Sequence, residues 1–246
     1  MPASPLRCIV VADAHLGQAP PAVATAFHTF LDRVVHPADE LLINGDLFDF
    51  WFEYGTVIPR RHFATVAKLR ALVSRGTRVT FIGGNHDRWG GDFLRTDLGI
   101  SYHSGKAEIA LAGRPALAVH GDGLTEQHWS GALTHWILRQ RATVAVFRTL
   151  HPTIGFWIAD KLSGTLADNT RDQAVLDRAE AAQADYARTL LERRPELALV
   201  VMAHTHRARL EWLPGGRAYL NPGAFLDGGR YAIVTGDAIE LCRFAP

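Results

Sequence analysis

The chain has 246 residues, 48% of them hydrophobic and 21% charged, which is ordinary for a globular protein and enough for a sizeable core. Its formal net charge is +1, so bulk charge does not point to a nucleic-acid partner, and we expect none. The two cysteines, Cys8 and Cys242, lie far apart and outside any C-x-x-C pair, which argues against a cysteine metal site or a disulfide framework.

The amino-terminal residues do not resemble a targeting segment. The apolar run at residues 8–12 is too short for the hydrophobic region of a signal peptide, and polar residues follow it at once. No stretch of the sequence reaches the ~18 uninterrupted apolar residues of a membrane span. We therefore expect a cytoplasmic protein, and contact with the inner face of the membrane stays open.

Five short apolar runs predict five strands. They read RCIVVADAH, ELLINGD, RVTFIGGNHD, PALAVHGD and LALVVMAHTH, and they begin at residues 7, 40, 78, 115 and 197. Each is rich in valine, isoleucine and leucine over about 4–6 residues, which is typical of strands that are buried on both faces.

Apolar residues at helical spacing separate the first three runs. Between the first two runs they are Phe27, Phe30, Leu31 and Val34. Between the second and third they are Phe63, Val66, Leu69, Leu72 and Val73. The order β-α-β-α-β predicts a layered α/β protein. Further along, the pattern predicts a hairpin about Gly113–Arg114, a long helix at about residues 172–193 and antiparallel strands near the carboxyl terminus.

One segment, at about residues 125–164, departs from this alternation. It contains no strand pattern, and its tryptophans, phenylalanines and leucines alternate with basic residues in a helical manner. We interpret it as a helical insertion, or cap, over a single domain that spans residues 1–246. The alternative is that the segment simply supplies two or three packed core helices.

Polar side chains follow each of the five predicted strands, at the point where the strand ends. They are Asp13 and His15, Asp46 and Asp49, Asn85 to Asp87, His120 and Asp122, and His204 and His206. Loops at the carboxyl ends of buried strands are where α/β sheets bind ligands. The sequence therefore predicts that these side chains meet at one edge.

Carboxylate, amide and imidazole groups without thiolates suit Mn, Fe or Zn ions. The set is too large for one ion, but it can hold two divalent ions if one carboxylate bridges them, and such pairs serve phosphoryl chemistry. Taken singly, each motif is often an ordinary turn. Because all five occur in order, each after its own strand, a shared metal site is the better interpretation.

Together these motifs resemble the five sequence blocks of the calcineurin-like metallophosphoesterase superfamily. The blocks are Asp13-x-His15, Gly45-Asp46-x-x-Asp49, Gly84-Asn85-His86-Asp87, His120-Gly121-Asp122 and His204-x-His206. The resemblance implies a four-layer α/β/β/α sandwich of two mixed sheets, with the cap as an insertion. One mismatch is Ala203, where members of the superfamily usually have glycine, and an extended backbone there would tolerate alanine.

The resemblance also implies roles for single residues. One ion would be held by Asp13, His15, Asp46 and His206, and the other by Asp46, Asn85, His120 and His204. His86 would be catalytic, protonating the leaving oxygen or steadying the phosphoryl group, and Asp87 would orient it. Asp49 and Asp122 would support the ligands from behind.

Within the superfamily, the stretches VVADAHLG, GDLFDFWFEYG, FIGGNHD, HGDGL and YLNPGAF are most similar to the UDP-2,3-diacylglucosamine pyrophosphatases of lipid A biosynthesis. That resemblance implies hydrolysis of the pyrophosphate of a lipid-linked nucleotide at the cytoplasmic membrane surface, usually with Mn. The cap would receive acyl chains and phosphate. The candidate substrate-binding residues there are Trp129, Trp136, Arg139, Arg141 and Lys161.

Two departures from the lipid A enzymes keep a second substrate class open. Proteobacterial members have arginine at the position of His86, and an acidic residue followed by tyrosine at His128-Trp129. The alternative is therefore a phosphodiesterase or phosphomonoesterase of broader specificity, acting on nucleotides or small phosphates. A binding protein that merely uses this fold is disfavoured, since every expected ligand is present.

Overall fold

The computed structural model describes residues 6–122, 141–167 and 173–246. In these ranges the chain forms strands β1 to β11, which are Arg7–Val11, Glu40–Asn44, Arg78–Ile82, Ser101–His103, Lys106–Leu111, Arg114–Val119, Leu199–Val201, Arg209–Leu213, Arg217–Asn221, Arg230–Thr235 and Ile239–Arg243. Its helices α1 to α6 are Pro21–Arg33, Phe63–Ser74, Phe93–Thr96, Arg141–Thr149, Pro152–Ala167 and Gln173–Arg193, and Arg60–His62 forms a 3-10 turn.

The strands form two mixed sheets. The first has the order β11-β10-β1-β2-β3-β4, in which β1 to β4 are parallel and β10 and β11 are antiparallel additions. The second has the order β5-β6-β7-β9-β8, in which β6, β7 and β9 are parallel and the two edge strands are antiparallel. The five predicted strands are β1, β2, β3, β6 and β7.

Alternate residues of β1 enter different cores, which shows how the layers are arranged. Ile9 packs with the core that contains helices α1 and α2, whereas Val10 packs with residues of the second sheet such as Val201. On the far side of the second sheet, Val200 packs against Leu191 of α6. The order helices, sheet, sheet, helix is the predicted four-layer α/β/β/α sandwich, so that prediction is confirmed.

The predicted hairpin is present between β5 and β6, with its turn displaced by one residue. Leu111 pairs with Arg114, so the turn residues are Ala112 and Gly113. Both have positive φ, 48° and 82°, as a two-residue turn that follows the twist of the strands requires. Because Ala112 accepts this conformation, the turn lies one position earlier than the glycine alone indicates.

Two helices, α4 and α5, represent the predicted insertion, and below they are called the cap helices. Their phenylalanines Phe147 and Phe156 pack against Phe50 and Phe52, in the loop that follows β2. The cap helices therefore lie beside the edge at which β2 ends. That the chain forms one domain with an insertion at 125–164 stays a prediction. No helix in the described ranges has the length and apolarity needed to cross a membrane.

Candidate metal centre

The loops after the strands are tied together across both sheets. The backbone N–H of Asp13 donates to the carbonyl of Gly45 at 3.1 Å, and that of His204 donates to Oδ2 of Asp13 at 3.1 Å. His120 lies with its Nδ1 atom 2.8 Å from the carbonyl of Asn44. Each bond joins a loop of one strand to another strand or loop, so the predicted residues meet at one edge.

Six of the predicted ligands form two compact groups. Asp13, His15 and His206 make one group, and Asp46, His120 and His204 make the other. In each group, one possible ligand atom per residue lies within 4.8 Å of the others. The Nε2 atoms of His15, His120 and His206 lie 4.0, 3.9 and 3.8 Å from Oδ1 of Asp13. Two atoms bound to one ion at about 2.1 Å lie roughly 3–4 Å apart, so this spacing suits a metal site.

Some buried side-chain atoms at this edge accept no hydrogen bond within the described part of the chain. In the described ranges, Asp13 Oδ1 and Asn85 Oδ1 are buried without a hydrogen-bond partner. A buried polar atom left unpaired is unfavourable unless a ligand, ion or water satisfies it. Asn85 is the seventh predicted ligand, and its amide oxygen can coordinate a cation. The donor set therefore fits divalent metal ions.

The electrostatics of the site also favour cations. Burial lowers the pKa of His15 to about 3 and that of His204 to about 4, so both imidazoles are neutral and able to bind metal at pH 7. Burial opposes ionisation of Asp46, but His120 and His86 more than offset it and hold its pKa well below the usual range. Burial raises the pKa of Asp13, a penalty that a bound cation would relieve.

The backbone is strained at most of these residues. The φ angles of Asp13, His15, Asp46, His204 and His206 are 52°, 46°, 51°, 71° and 59°, in the left-handed region that residues other than glycine seldom adopt. Such strain accumulates where a structure holds functional groups in place. Ala203, the mismatch with the superfamily, is not among the residues with positive φ, so alanine is tolerated there.

Glycine at position 84 allows two loops to approach closely. A Cβ atom on Gly84 would lie 2.2 Å from Oδ1 of Asp46 and 2.8 Å from its backbone nitrogen. Any larger residue would therefore push Asp46 away, which explains glycine before Asn85.

His86 stands beside both groups. Its ring centroid is 5.0 Å from that of His15, and its backbone N–H donates to Oδ1 of Asp46 at 3.0 Å. The Nδ1 atom lies 2.7 Å from the carbonyl oxygen of Asp49. Because a carbonyl only accepts, Nδ1 carries a hydrogen, and Nε2 is the atom left to exchange a proton.

Comparison with known proteins agrees with this geometry. The model of the calcineurin-like phosphoesterase family matches residues 6–208, which include all five motifs. The chain belongs to that family. As a calcineurin-like phosphoesterase, it is a metal-dependent phosphoester hydrolase.

Several curated relatives have the name UDP-2,3-diacylglucosamine hydrolase. The protein of that name from Enterobacter sp. is 27% identical over 254 residues, covering 97% of this chain and 99% of the relative. The one from Pseudomonas paraeruginosa is 30% identical over 203 residues, 82% of each chain. The one from Porphyromonas gingivalis is 36% identical over 114 residues, which span 45% of this chain and 44% of the relative.

Asp227 and Asn44 orient two of the imidazoles in this phosphoesterase. Oδ2 of Asp227 lies 3.2 Å from Nδ1 of His206, and the carbonyl of Asn44 lies 2.8 Å from Nδ1 of His120. Such partners set the tautomer and direction of a metal-binding histidine. Sequence analysis did not find Asp227, because nothing in its spacing connects it to His206.

Asp87 does not orient His86, and this prediction is corrected. Its Oδ1 atom accepts the backbone N–H groups of Asp46 and Gly84, at 3.2 and 2.8 Å. Its Oδ2 atom accepts those of Leu47 and Phe48, at 2.7 and 3.2 Å. The contact of the His86 ring is instead the carbonyl of Asp49. Asp87 thus holds the loop that carries Asp46, a positioning role.

The substitution Asp87→Asn is expected to lower the free energy of unfolding by about 2–4 kcal/mol, because the amide nitrogen would face buried N–H donors and leave them unpaired. Urea denaturation at pH 8 would measure it, since burial and the charge of Asp46 raise the pKa of Asp87 to about 7. Asp92→Asn, at a side chain that is 81% exposed, is the matched control, expected to change stability by less than about 0.5 kcal/mol. If Asp87→Asn and Asp92→Asn lowered the free energy of unfolding equally, Asp87 would not hold the loop that carries Asp46.

The two remaining acidic candidates, Asp49 and Asp122, lie close to basic side chains. Asp49 is buried, with Nη2 of Arg61 and Nε2 of His62 each 3.3 Å from its carboxylate. Asp122 forms an ion pair with Arg88. Neither belongs to the two groups of ligand atoms.

Most predicted substrate-binding residues lie outside the described part of the chain. Trp129, Trp136 and Arg139 are outside the described ranges. Arg141 begins α4, and only its backbone is described. Lys161 lies on α5 and is exposed.

Next to the cap helices, the structure shows an aromatic cluster that sequence analysis did not single out. It consists of Phe50, Phe52, Tyr54, Trp89, Phe147 and Phe156. Aromatic residues at alternate positions of the stretch FDFWFEY, directly after a predicted ligand loop, were the available signal.

Proposed function

We propose that this phosphoesterase uses two metal ions to hydrolyse the pyrophosphate of a lipid precursor like UDP-2,3-diacylglucosamine, releasing UMP and a phosphorylated sugar lipid. The observation that carries the proposal is the pair of ligand groups at Asp13 and Asp46, with buried ligand atoms that lack other partners. The substrate class rests on the relatives that bear that name and align along 97% of this chain.

Seven residues would hold the ions. In this assignment the first site consists of Asp13, His15, Asp46 and His206, and the second of Asp46, Asn85, His120 and His204. Mn is the proposed metal, with Fe or Zn as alternatives, because the donors are oxygen and imidazole nitrogen. When bound, the ions would supply an activated water and offset the negative charge of the phosphoryl group in the transition state.

His86 would handle the proton or the phosphoryl oxygen. Its Nδ1 atom is engaged by the carbonyl of Asp49, which leaves Nε2 to exchange a proton, and one of its ring nitrogens lies within 4.8 Å of ligand atoms of His15 and Asp46. In that position it would protonate the leaving oxygen as the P–O bond breaks, or donate a hydrogen bond to the phosphoryl group.

The cap helices support a lipid-like substrate. The aromatic cluster lies at the edge of the site, and each acyl methylene buried against such a surface contributes about 0.8 kcal/mol. Val146, Ile154 and Trp157 of the cap helices are 64%, 50% and 61% exposed, and exposed apolar side chains of this kind would suit peripheral contact with the inner face of the membrane. Lys161, on the same helix as Trp157, would favour anionic lipid.

A second candidate is a phosphodiesterase of broader specificity. It is favoured by His86 itself, since the lipid A enzymes that this sequence resembles have arginine at that position. Such an enzyme would use the same metal centre, and the cap would take a different apolar group.

Hydrolysis assays with Mn-loaded protein separate the two candidates. UDP-2,3-diacylglucosamine, UDP-N-acetylglucosamine and bis(4-nitrophenyl) phosphate are compared by kcat/KM. UMP release from the two UDP substrates is followed chromatographically, and 4-nitrophenolate release from the aryl ester is followed by absorbance. The proposal expects at least about a hundredfold preference for the diacylated substrate over UDP-N-acetylglucosamine, because two acyl chains add several kcal/mol of apolar burial. Hydrolysis of the aryl ester alone would remove the lipid assignment and favour the second candidate.

A further inference from the structure

Arg61 contacts both Asp49, in the loop after β2, and Phe156 on cap helix α5. It lies on the 3-10 turn Arg60–His62, and its Nη2 atom is 3.3 Å from Oδ2 of Asp49. On the other side, its guanidinium carbon lies 5.4 Å from the ring centroid of Phe156, on α5. This distance is within the range of a cation–π interaction. A single side chain thus spans from the loop after β2 to the cap.

The charge of Arg61 matters because Asp49 is buried. Only 1% of the Asp49 side chain is exposed, and neither of its carboxylate oxygens has a hydrogen-bond partner in the described ranges. Arg61 and His62 are the basic groups 3.3 Å away. A buried carboxylate that loses its counter-charge is strongly disfavoured and shifts or draws in water. Arg61 therefore helps to determine where Asp49 lies.

The position of Asp49 in turn determines that of His86. The carbonyl of Asp49 accepts the Nδ1 hydrogen of His86 at 2.7 Å, and the backbone N–H of Trp51 donates to the His86 carbonyl at 3.0 Å. The segment at residues 49–51 therefore holds both the ring and the backbone of His86. A small displacement of this segment would misplace Nε2 of His86 relative to the substrate.

The cap helices contact that same segment directly. The ring of Phe50 lies 5.5 Å from that of Phe156 and 6.0 Å from that of Phe147, both in edge-to-face geometry. The residue next to Asp49 is thus packed on α4 and α5, while Arg61 joins Asp49 to α5.

We propose that Arg61 is a positioning residue, through which cap helix α5 holds His86 in its working orientation. The inference rests on the proposed role of His86. The cap would then position a catalytic residue in addition to contacting the substrate.

The test is a double-mutant cycle between Arg61→Met and His86→Ala, measured with Mn-loaded protein on an alkyl phosphodiester, whose leaving oxygen needs a proton. We expect Arg61→Met to lower kcat about tenfold and to change KM less than about threefold, since misplacement of a catalytic group affects turnover. In the His86→Ala background the same substitution should lower kcat less than about twofold, because the group it positions is gone. Arg61→Lys, which keeps the charge, should restore part of the rate.

Two controls separate a positioning role from a structural one. Arg60→Met changes the exposed neighbour on the same turn and should leave kcat within about twofold. Mn affinity, measured by titration calorimetry, should be the same for wild type and Arg61→Met, since Arg61 is not a ligand. Phe156→Leu removes the ring under the guanidinium and should lower kcat in the same direction, again only when His86 is present.

The outcomes distinguish this inference from the proposed function. Losses that multiply fully in the double mutant, or no loss in Arg61→Met, would overturn the role of Arg61 and leave His86 intact. If His86→Ala alone were as active as wild type, the role of His86 under the proposed function would fail first.

Discussion

Replacing Asp46 by alanine is expected to abolish binding of both metal ions and to lower kcat/KM by at least about 10³-fold, since several kcal/mol of charge stabilisation in the transition state would be lost. Asp46 is the residue assigned to both ions. It is 2% exposed, Oδ2 lies 3.1 Å from Nε2 of His120, and Oδ1 accepts the backbone N–H of His86. Metal content by mass spectrometry of the purified protein and hydrolysis of bis(4-nitrophenyl) phosphate would measure both effects.

Asp32→Ala is the matched control for this substitution. Asp32 is 53% exposed and pairs with Lys68, away from the site, so metal content and activity should stay at wild-type values. Two ions per chain and full activity in Asp46→Ala would show that the site is assigned to the wrong residues. Loss of one ion only would show that Asp46 does not bridge.

Replacing His86 by alanine is expected to separate metal binding from turnover. The protein should keep its metal, because His86 is not among the seven assigned ligands, and kcat should fall about 10²–10³-fold, the usual contribution of a proton-transferring side chain. Metal stoichiometry and kcat on an alkyl phosphodiester, whose leaving oxygen needs a proton, are the two measurements.

Substrates with different leaving groups then decide which role His86 has. If it protonates the leaving oxygen, His86→Ala should affect an alkyl ester more than a nitrophenyl ester, because nitrophenolate leaves without a proton. Equal losses would indicate that His86 steadies the phosphoryl group instead. His36→Ala, at an exposed histidine, is the control, and wild-type activity in His86→Ala would remove His86 from the mechanism.

The double-mutant cycle with Arg61 and the unfolding measurement on Asp87→Asn both test residues that position the site from outside it. Asp87 binds four backbone N–H groups and Arg61 acts through Asp49, so neither is expected to touch the substrate. Both illustrate that positions around a metal centre depend on buried polar contacts behind it.

The sequence by itself determined the fold class and the residues that meet at the site. Parallel strands of one sheet expose their carboxyl ends at one edge, so the ligands that follow Val11, Asn44 and Ile82 come together. The period of two along each strand likewise specified that its faces enter different cores. Both properties depend only on a short stretch of sequence.

Only the tertiary structure decided which side chains stand behind those ligands. The partner of His206 is Asp227, 21 residues away, and three of the four backbone partners of Asp87 lie about 40 residues away, where no periodic pattern connects them. The contact of Arg61 with Phe156 joins residues from two distant segments. Such contacts arise from how layers and loops pack, and for that reason sequence analysis assigned Asp87 to the wrong partner and did not find Asp227 or Arg61.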